Sequence, residues 1–197
     1  MLYTARCKEM LTDEGLQKAA DTCKYMGIDG LVCIGGDGTF RGALALSRLG
    51  VPCIGVPGTI DNDIGCSEYT IGFDTACNTA LECIDKLRDT MQSHERCSVV
   101  EVMGRHAGHL ALNVGCACGA PAIMLPEREI DFETAVIEKM RMGRIKGRNH
   151  HIIIVAEGYG SAQEVADRIH DATGIDTRLT ILGHIQRGGS PSSQDRI

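Results

Sequence analysis

Two short segments carry the residue types of a phosphoryl-transfer site. Gly35-Gly36-Asp37-Gly38-Thr39 offers side-chain-free backbone, one hydroxyl and one carboxylate, a combination suited to a polyphosphate and its Mg²⁺. Further on, Pro57-Gly58-Thr59-Ile60-Asp61-Asn62-Asp63 brings two more carboxylates. Asp61 has the chemistry of a general base for a hydroxyl nucleophile, and Asp63 stands where it would adjust the charge and position of that base. The first segment is not a Walker loop, because the lysine and spacing of GxxxxGK[ST] are absent. Taken alone, the Pro, Asp and Asn of the second segment would serve as turn and cap residues. Arg96, Arg105, Arg178 and Arg187 are dispersed, but the last three lie beside glycine turns or strand edges. There they could converge on anionic oxygens, for which the arginine fork is suited. Singly, each is an ordinary surface ion-pair partner and His184 an ordinary structural histidine; the stretch Gly183-His184-Ile185-Gln186-Arg187-Gly188-Gly189 gathers several such groups into one candidate ligand loop.

The elements that must position these groups follow from periodicity. Leu16, Ala19, Ala20, Cys23 and Met26 recur at helical spacing behind Asp13 and Glu14, predicting a helix over 12–26 that ends at Gly27. Leu31–Ile34 is a short buried strand stopped by two glycines. A helix over 40–49 follows it, and then a strand over 51–56 that ends at Pro57. Both chemical segments therefore fall at carboxyl ends of strands, where open α/β sheets place their ligands. Helices are predicted over 75–91, 110–116, 133–142 and 164–172. Strands are predicted over 98–102, 122–125, 152–156 and 179–182. Helix follows strand throughout, the mark of an α/β fold with parallel sheets. Only two strands precede Gly72, too few to cover both faces of a doubly wound sheet, and 186–197 reads as a loop without a closing element. The chain is therefore expected to be truncated at both ends.

With 197 residues and 43% hydrophobic content the chain can build substantial cores, and a net charge of −6 argues against non-specific nucleic-acid binding. The ten cysteines follow no secretory start, so they read as reduced, mostly buried thiols and not as a disulfide framework. Cys116 and Cys118 lack the further ligands of a zinc site. The apolar stretch 110–126 is interrupted by Asn113, Gly115, Gly119 and Pro121 and is too short to span a membrane.

In order along the chain, GGDGT, PGTIDND, GFDTA, EVMGR, AEG, DTR, LGHIQRGG and SPSSQDR closely resemble the 6-phosphofructokinase family, in its ATP-dependent bacterial form. The resemblance implies two three-layer α/β/α domains with mostly parallel sheets and the active site in the cleft between them. It maps residues 1–72 onto a partial ATP-binding domain, 73–185 onto a sugar-phosphate domain and 186–197 onto a truncated return to the first. It implies that Asp61 accepts the proton of the 1-hydroxyl of fructose 6-phosphate as that oxygen attacks the γ-phosphate of ATP, with Thr59 and Arg105 supporting the transfer. Asp37 would serve Mg²⁺, and Arg6, Cys7, Gly36, Asp37, Gly38 and Thr39 match nucleotide contacts. Thr59, Ile60, Asp61, Met103, Gly104, Arg105, Glu157, His184, Ile185, Gln186 and Arg187 match sugar-phosphate contacts. Arg96 and Arg178 would reach a neighbouring subunit's site in a homotetramer, and a cytoplasmic, glycolytic enzyme is implied.

Relatives that use pyrophosphate typically carry Asp where this chain has Gly38 and Lys where it has Gly58. Both substitutions shrink the room for a nucleotide, so the glycines favour ATP over the alternative of a pyrophosphate-dependent enzyme. A further alternative, a noncatalytic homologue, is opposed by intact Asp37, Asp61 and Arg105. Arg88, Lys146 and Arg148 match effector-phosphate positions. Pro121 stands where many relatives have a Glu associated with the effector's metal ion, and Asp176 stands where the family often has Glu.

Overall fold

The computed structural model describes residues 5–92 and 94–197, so residues 1–4 of the expected first domain lie outside the described residues. The chain forms two compact units, described separately below. The first runs through Thr59 and includes Ile64–Glu68; the second comprises Ile60–Asp63 and Tyr69–Ile197.

In the first unit, a 3-10 turn, Lys8–Leu11, leads into α1 (Asp13–Tyr25), capped by Thr12, whose hydroxyl accepts from the N–H of Gly15 at 3.1 Å. β1 (Leu31–Gly35), α2 (Asp37–Arg48) and β2 (Cys53–Pro57) follow, and the two strands pair in parallel. Ala20 and Cys23 of α1 pack with Leu46 of α2, Val51, and the inward residues Leu31 and Cys53. The described residues of this unit therefore build two layers, with Val32, Ile34 and Ile54 exposed on the other face of the strands.

The second unit is a three-layer sandwich. Its sheet has the order β4 (Ala122–Met124), β5 (His151–Ala156), β3 (Cys97–Val102), β6 (Thr177–Ile181), all parallel. The near-continuous apolar runs of β3 and β5 have a simple cause: both faces of the sheet are covered. Val100, Val102, Ile152 and Ile154 pack under α3 (Phe73–Gln92) and α4 (His109–Ala117), against Ile84, Leu110 and Val114. The alternate residues Val99, Ile153 and Val155 face Val136, Met140, Val165 and Ile169. These belong to a π-helical turn (Glu133–Ile137) running into α5 (Glu138–Ile145), and to α6 (Ala162–Thr173). The expected single helix over 133–142 is thus two kinds of helix in series. A second difference lies at the end of the chain, where a 3-10 turn, Gly183–Arg187, and a short α7 (Ser193–Arg196) replace the expected loop and pack on α3. The ten cysteines are free thiols, and among the described residues no helix is long and apolar enough to cross a membrane.

Candidate active site

In the first unit Gly35, the last residue of β1, is in register with Pro57, the last of β2, and the N–H of Gly58 donates to the carbonyl of Gly35 at 3.0 Å. The start of the first chemical segment and Pro57-Gly58 of the second thus lie side by side at one sheet edge. α2 starts inside the first of them: Gly36 is its N-cap, and Asp37, Gly38 and Thr39 form its first turn. That turn presents amide N–H groups and the positive end of the helix dipole, the usual seat for a phosphate group. A Cβ on Gly35 would collide with the Thr39 side chain, and one on Gly36 would lie 3.4 Å from the Cβ of Thr59, so the glycines allow Thr39 and Thr59 to close on the turn. At Gly38 a Cβ would meet no heavy atom within 4 Å. The carboxylate of Asp37 accepts from Arg41 one helical turn on, Nε at 3.2 Å and Nη2 at 3.0 Å. Arg6 and Cys7 are exposed ahead of the first 3-10 turn.

In the second unit the carboxyl ends of β5, β3 and β6 bring three expected segments together. Beyond β3, Met103 donates its N–H to Gln186 Oε1 at 3.3 Å; beyond β5, Glu157 donates its N–H to the carbonyl of Val102 at 2.9 Å; beyond β6, Leu182 donates its N–H to the carbonyl of Glu101 at 3.1 Å. Gly104 has φ +144°, a region closed to other residues, and lets the chain turn so that the N–H of Arg105 reaches Glu157 Oε2 at 3.1 Å. Arg105 itself has φ +56°, a conformation costing about 1 kcal/mol for a residue with a Cβ. The Glu157 bond and the close approach of Gly158 to the Arg105 carbonyl hold it there. Glu157, His184, Ile185 and Arg187 are exposed. Gln186 is 1% exposed and uses its amide structurally, accepting from Met103 and donating to the carbonyl of Gly183 at 3.1 Å. It therefore anchors the turn that displays His184 and Arg187.

Asp61 belongs to the same electrostatic group. Burial pushes its carboxyl above the ordinary aspartate value, Asp63 and Glu157 push it further, and Arg187 and Arg105 pull it back. A half-buried carboxylate made more basic by two neighbouring acids, with two arginines close by, has the character of a proton acceptor beside an anion site. Asp63→Asn removes one upward push, and the titration midpoint of Asp61, followed by carboxyl carbon NMR, is expected to fall towards the ordinary value. A midpoint that stays put would mean that the Asp63 charge does not act on Asp61.

Arg96 and Arg178 lie at the opposite edge of this sheet. Cys97 is in register with Thr177, and both arginines pair with Asp176, Arg96 Nε at 2.7 Å and Arg178 Nε at 3.1 Å. The length of β3 separates them from Met103 and Glu157, roughly 20 Å for six residues at about 3.3 Å per residue. Among the expected effector residues, Arg88 donates from Nη2 to the carbonyl of Cys118 at 2.6 Å, closing the end of α4. Lys146 and Arg148 line a hollow of about 380 Å³ with Pro121, Thr134, Glu138 and Met142.

The sequence profile of the phosphofructokinase family matches residues 1–197. The chain belongs to the phosphofructokinase family. It is 57% identical to the ATP-dependent 6-phosphofructokinase of Bacillus pumilus (strain SAFR-032) and 56% identical to that of Bacillus thuringiensis (strain Al Hakam), in each case over 196 residues. Each comparison covers 100% of this chain and 61% of the relative, so the chain spans about three fifths of the length of the curated relatives it matches. Among solved structures, phosphofructokinase from Saccharomyces cerevisiae superposes with a TM-score of 0.90 at 34% identity, covering 98% of this chain and 30% of that one.

Two residues of this phosphofructokinase-family chain escaped the sequence reading. Arg41 was visible as an i, i+4 partner of Asp37, but α2 was expected to begin only at Phe40. Asp195 lies within SPSSQDR, but its partners are more than a hundred residues away in sequence, so no local pattern marks it.

Proposed function

We propose that the protein transfers the γ-phosphoryl group of MgATP to the 1-hydroxyl of fructose 6-phosphate, giving fructose 1,6-bisphosphate and ADP. The observation that carries this reading is Asp61, a carboxylate made more basic by burial, Asp63 and Glu157 in the electrostatic company of Arg105 and Arg187. Asp61 takes the proton of the attacking hydroxyl, while Arg105 and Thr59 steady the charge that develops during transfer. Met103, Gly104, Glu157, His184, Ile185 and Arg187 hold the sugar phosphate, with Ile60 alongside and Gln186 fixing the turn. The first turn of α2, Gly36 to Thr39, together with Arg6 and Cys7, receives the nucleotide phosphates.

Asp37 suits Mg²⁺ as a half-exposed carboxylate at the helix end that would receive the phosphates. A hard cation there would be held by phosphate oxygens and that one carboxylate. Bound there, Mg²⁺ would neutralise phosphate charge. The first unit is the donor-binding part and the second the sugar-phosphate part. Arg96 and Arg178, turned away from their own chain's Glu157 by the length of a strand, serve the site of a neighbouring copy in a homotetramer. Lys146, Arg148 and Arg88 take an effector phosphate, and the enzyme works in the cytoplasm in glycolysis.

The deciding experiment is a coupled assay of the full-length protein with fructose 6-phosphate and either donor. MgATP is expected to give turnover at least about a hundredfold above that with pyrophosphate, given the open space at Gly38. Preference for pyrophosphate would replace the donor in this reading, and no turnover with either would replace the enzyme with a ligand-binding homologue.

A further inference from the structure

We infer that Asp195 is a positioning residue, whose carboxylate ties the segment carrying Asp61 to the turn carrying His184 and Arg187. The inference rests on the sugar-phosphate reading of that turn. One carboxylate oxygen, Oδ1, accepts from Tyr69 Oη at 2.7 Å and from the N–H of Gly72 at 2.7 Å. The other, Oδ2, accepts from the N–H of Thr75 at 2.8 Å and from the Thr75 hydroxyl. Four donors therefore converge on one ionised group at the start of α3, where the helix dipole also favours negative charge.

The two tied segments are those the chemistry needs. On one side, Thr70 is fully buried, and its hydroxyl donates at 3.2 Å to the side chain of Asn62, the neighbour of Asp61, which itself has φ +52°. Fixing Tyr69 and Gly72 thus fixes the frame of the Asp61 loop. On the other side, the Thr75 hydroxyl oxygen accepts from the N–H of Ser192 at 3.0 Å, and Thr79 Oγ1 lies 3.1 Å from the carbonyl of Gly188. Gly189, at φ +117°, passes so close to Thr79 that a Cβ there would lie 2.8 Å from its hydroxyl oxygen. The chain from Gly188 to Asp195 is therefore strapped along the first turns of α3, directly after Arg187. Gln186 pins the other flank of the same turn to Met103. Since the basicity of Asp61 depends on Arg187, loosening the strap alters both the sugar-phosphate contacts and the base.

Burial alone would push the Asp195 carboxyl up, but bonds from Thr75, Gly72 and Tyr69 outweigh it and hold the group below the ordinary aspartate value. A depressed carboxyl is ionised at every pH above the unfolded value, and its contribution is lost only as pH falls through the folded value. The tie is thus complete across neutral pH, and its loss has the same effect from about pH 6 to 9.

The test is Asp195→Asn in the full chain as its gene encodes it. Amide hydrogen exchange is expected to quicken at Gly72 to Thr75 and also at Gly183 to Gly189, with α6 and β5 unchanged. In turnover, KM for fructose 6-phosphate is expected to rise about tenfold, the scale of one lost charge-assisted hydrogen bond, with KM for ATP within about twofold. Asp195→Glu should recover part of that loss. Unchanged exchange at Gly183 to Gly189, or KM values for both substrates rising together, would overturn the inference. Exchange needs no turnover, so an inactive wild type would defeat the functional reading while exchange still decides whether Asp195 couples the two segments. If Asp195→Asn does not fold, Thr75→Val carries the same expectations in direction, because it removes the hydroxyl's bonds to Asp195 and Ser192 while keeping the side-chain shape and the backbone bond to Asp195.

Discussion

With Asp61 as the proposed base, Asp61→Asn in the full-length protein is expected to lower kcat by about two to four orders of magnitude, with much smaller changes in the KM of either proposed substrate. The amide keeps the size of the side chain and its capacity to accept a hydrogen bond, but it cannot take the proton of the attacking hydroxyl. What is lost is therefore an interaction made only in the transition state, which appears in kcat. The same substitution should leave the protein as stable as before, or more so. Because the Asp61 carboxyl is raised above its unfolded value, the folded state binds more protons than the unfolded one between those two values, and stability falls as pH rises through them. At neutral pH the ionised Asp61 is a cost to the fold that asparagine removes. A melting temperature at or above wild type, together with a deep fall in kcat, separates a catalytic base from a structural carboxylate. Turnover within about twofold of wild type would end the assignment of Asp61 as the base.

Much of this arrangement was legible in the sequence because the second unit follows simple rules. β3 and β5 are continuous apolar runs since helices cover both faces of their sheet, and their glycine-marked ends locate the site edge. What the sequence hid was conformation that composition misdescribes. Asp37, Gly38 and Thr39 have loop composition yet form the first turn of α2, because Gly36 caps the helix. The π-helical turn at Glu133–Ile137 keeps a helical pattern while changing its hydrogen-bond spacing, so periodicity could not separate it from α5. Arg105 occupies a backbone region where a glycine would be expected, and only its bonded neighbours explain why it stays there. The role of Asp195 depends on partners distant in sequence, which no local pattern records.

Gly38→Asp is expected to lower kcat/KM for MgATP by about two orders of magnitude without weakening the fold. A Cβ at this position meets nothing within 4 Å, so the new side chain enters without a clash. It also lands in the first turn of α2, where a carboxylate is worth about 0.3–1 kcal/mol against the helix dipole. Melting temperature should therefore hold or rise. The same carboxylate stands where nucleotide phosphates would seek the α2 amides. Two like unit charges about 4 Å apart repel by about 4 kcal/mol at an effective dielectric constant of about 20, and each 1.4 kcal/mol is about tenfold. Partial neutralisation by Arg41 and by the cation proposed to accompany the nucleotide would reduce a nominal loss of about a thousandfold to about a hundredfold. Gly38→Asn separates charge from bulk: it adds nearly the same volume without the charge and should retain most ATP activity. If Gly38→Asp keeps kcat/KM for ATP within about threefold of wild type, the α2 amides are not where the nucleotide phosphates bind, and the donor site must be sought elsewhere in the protein.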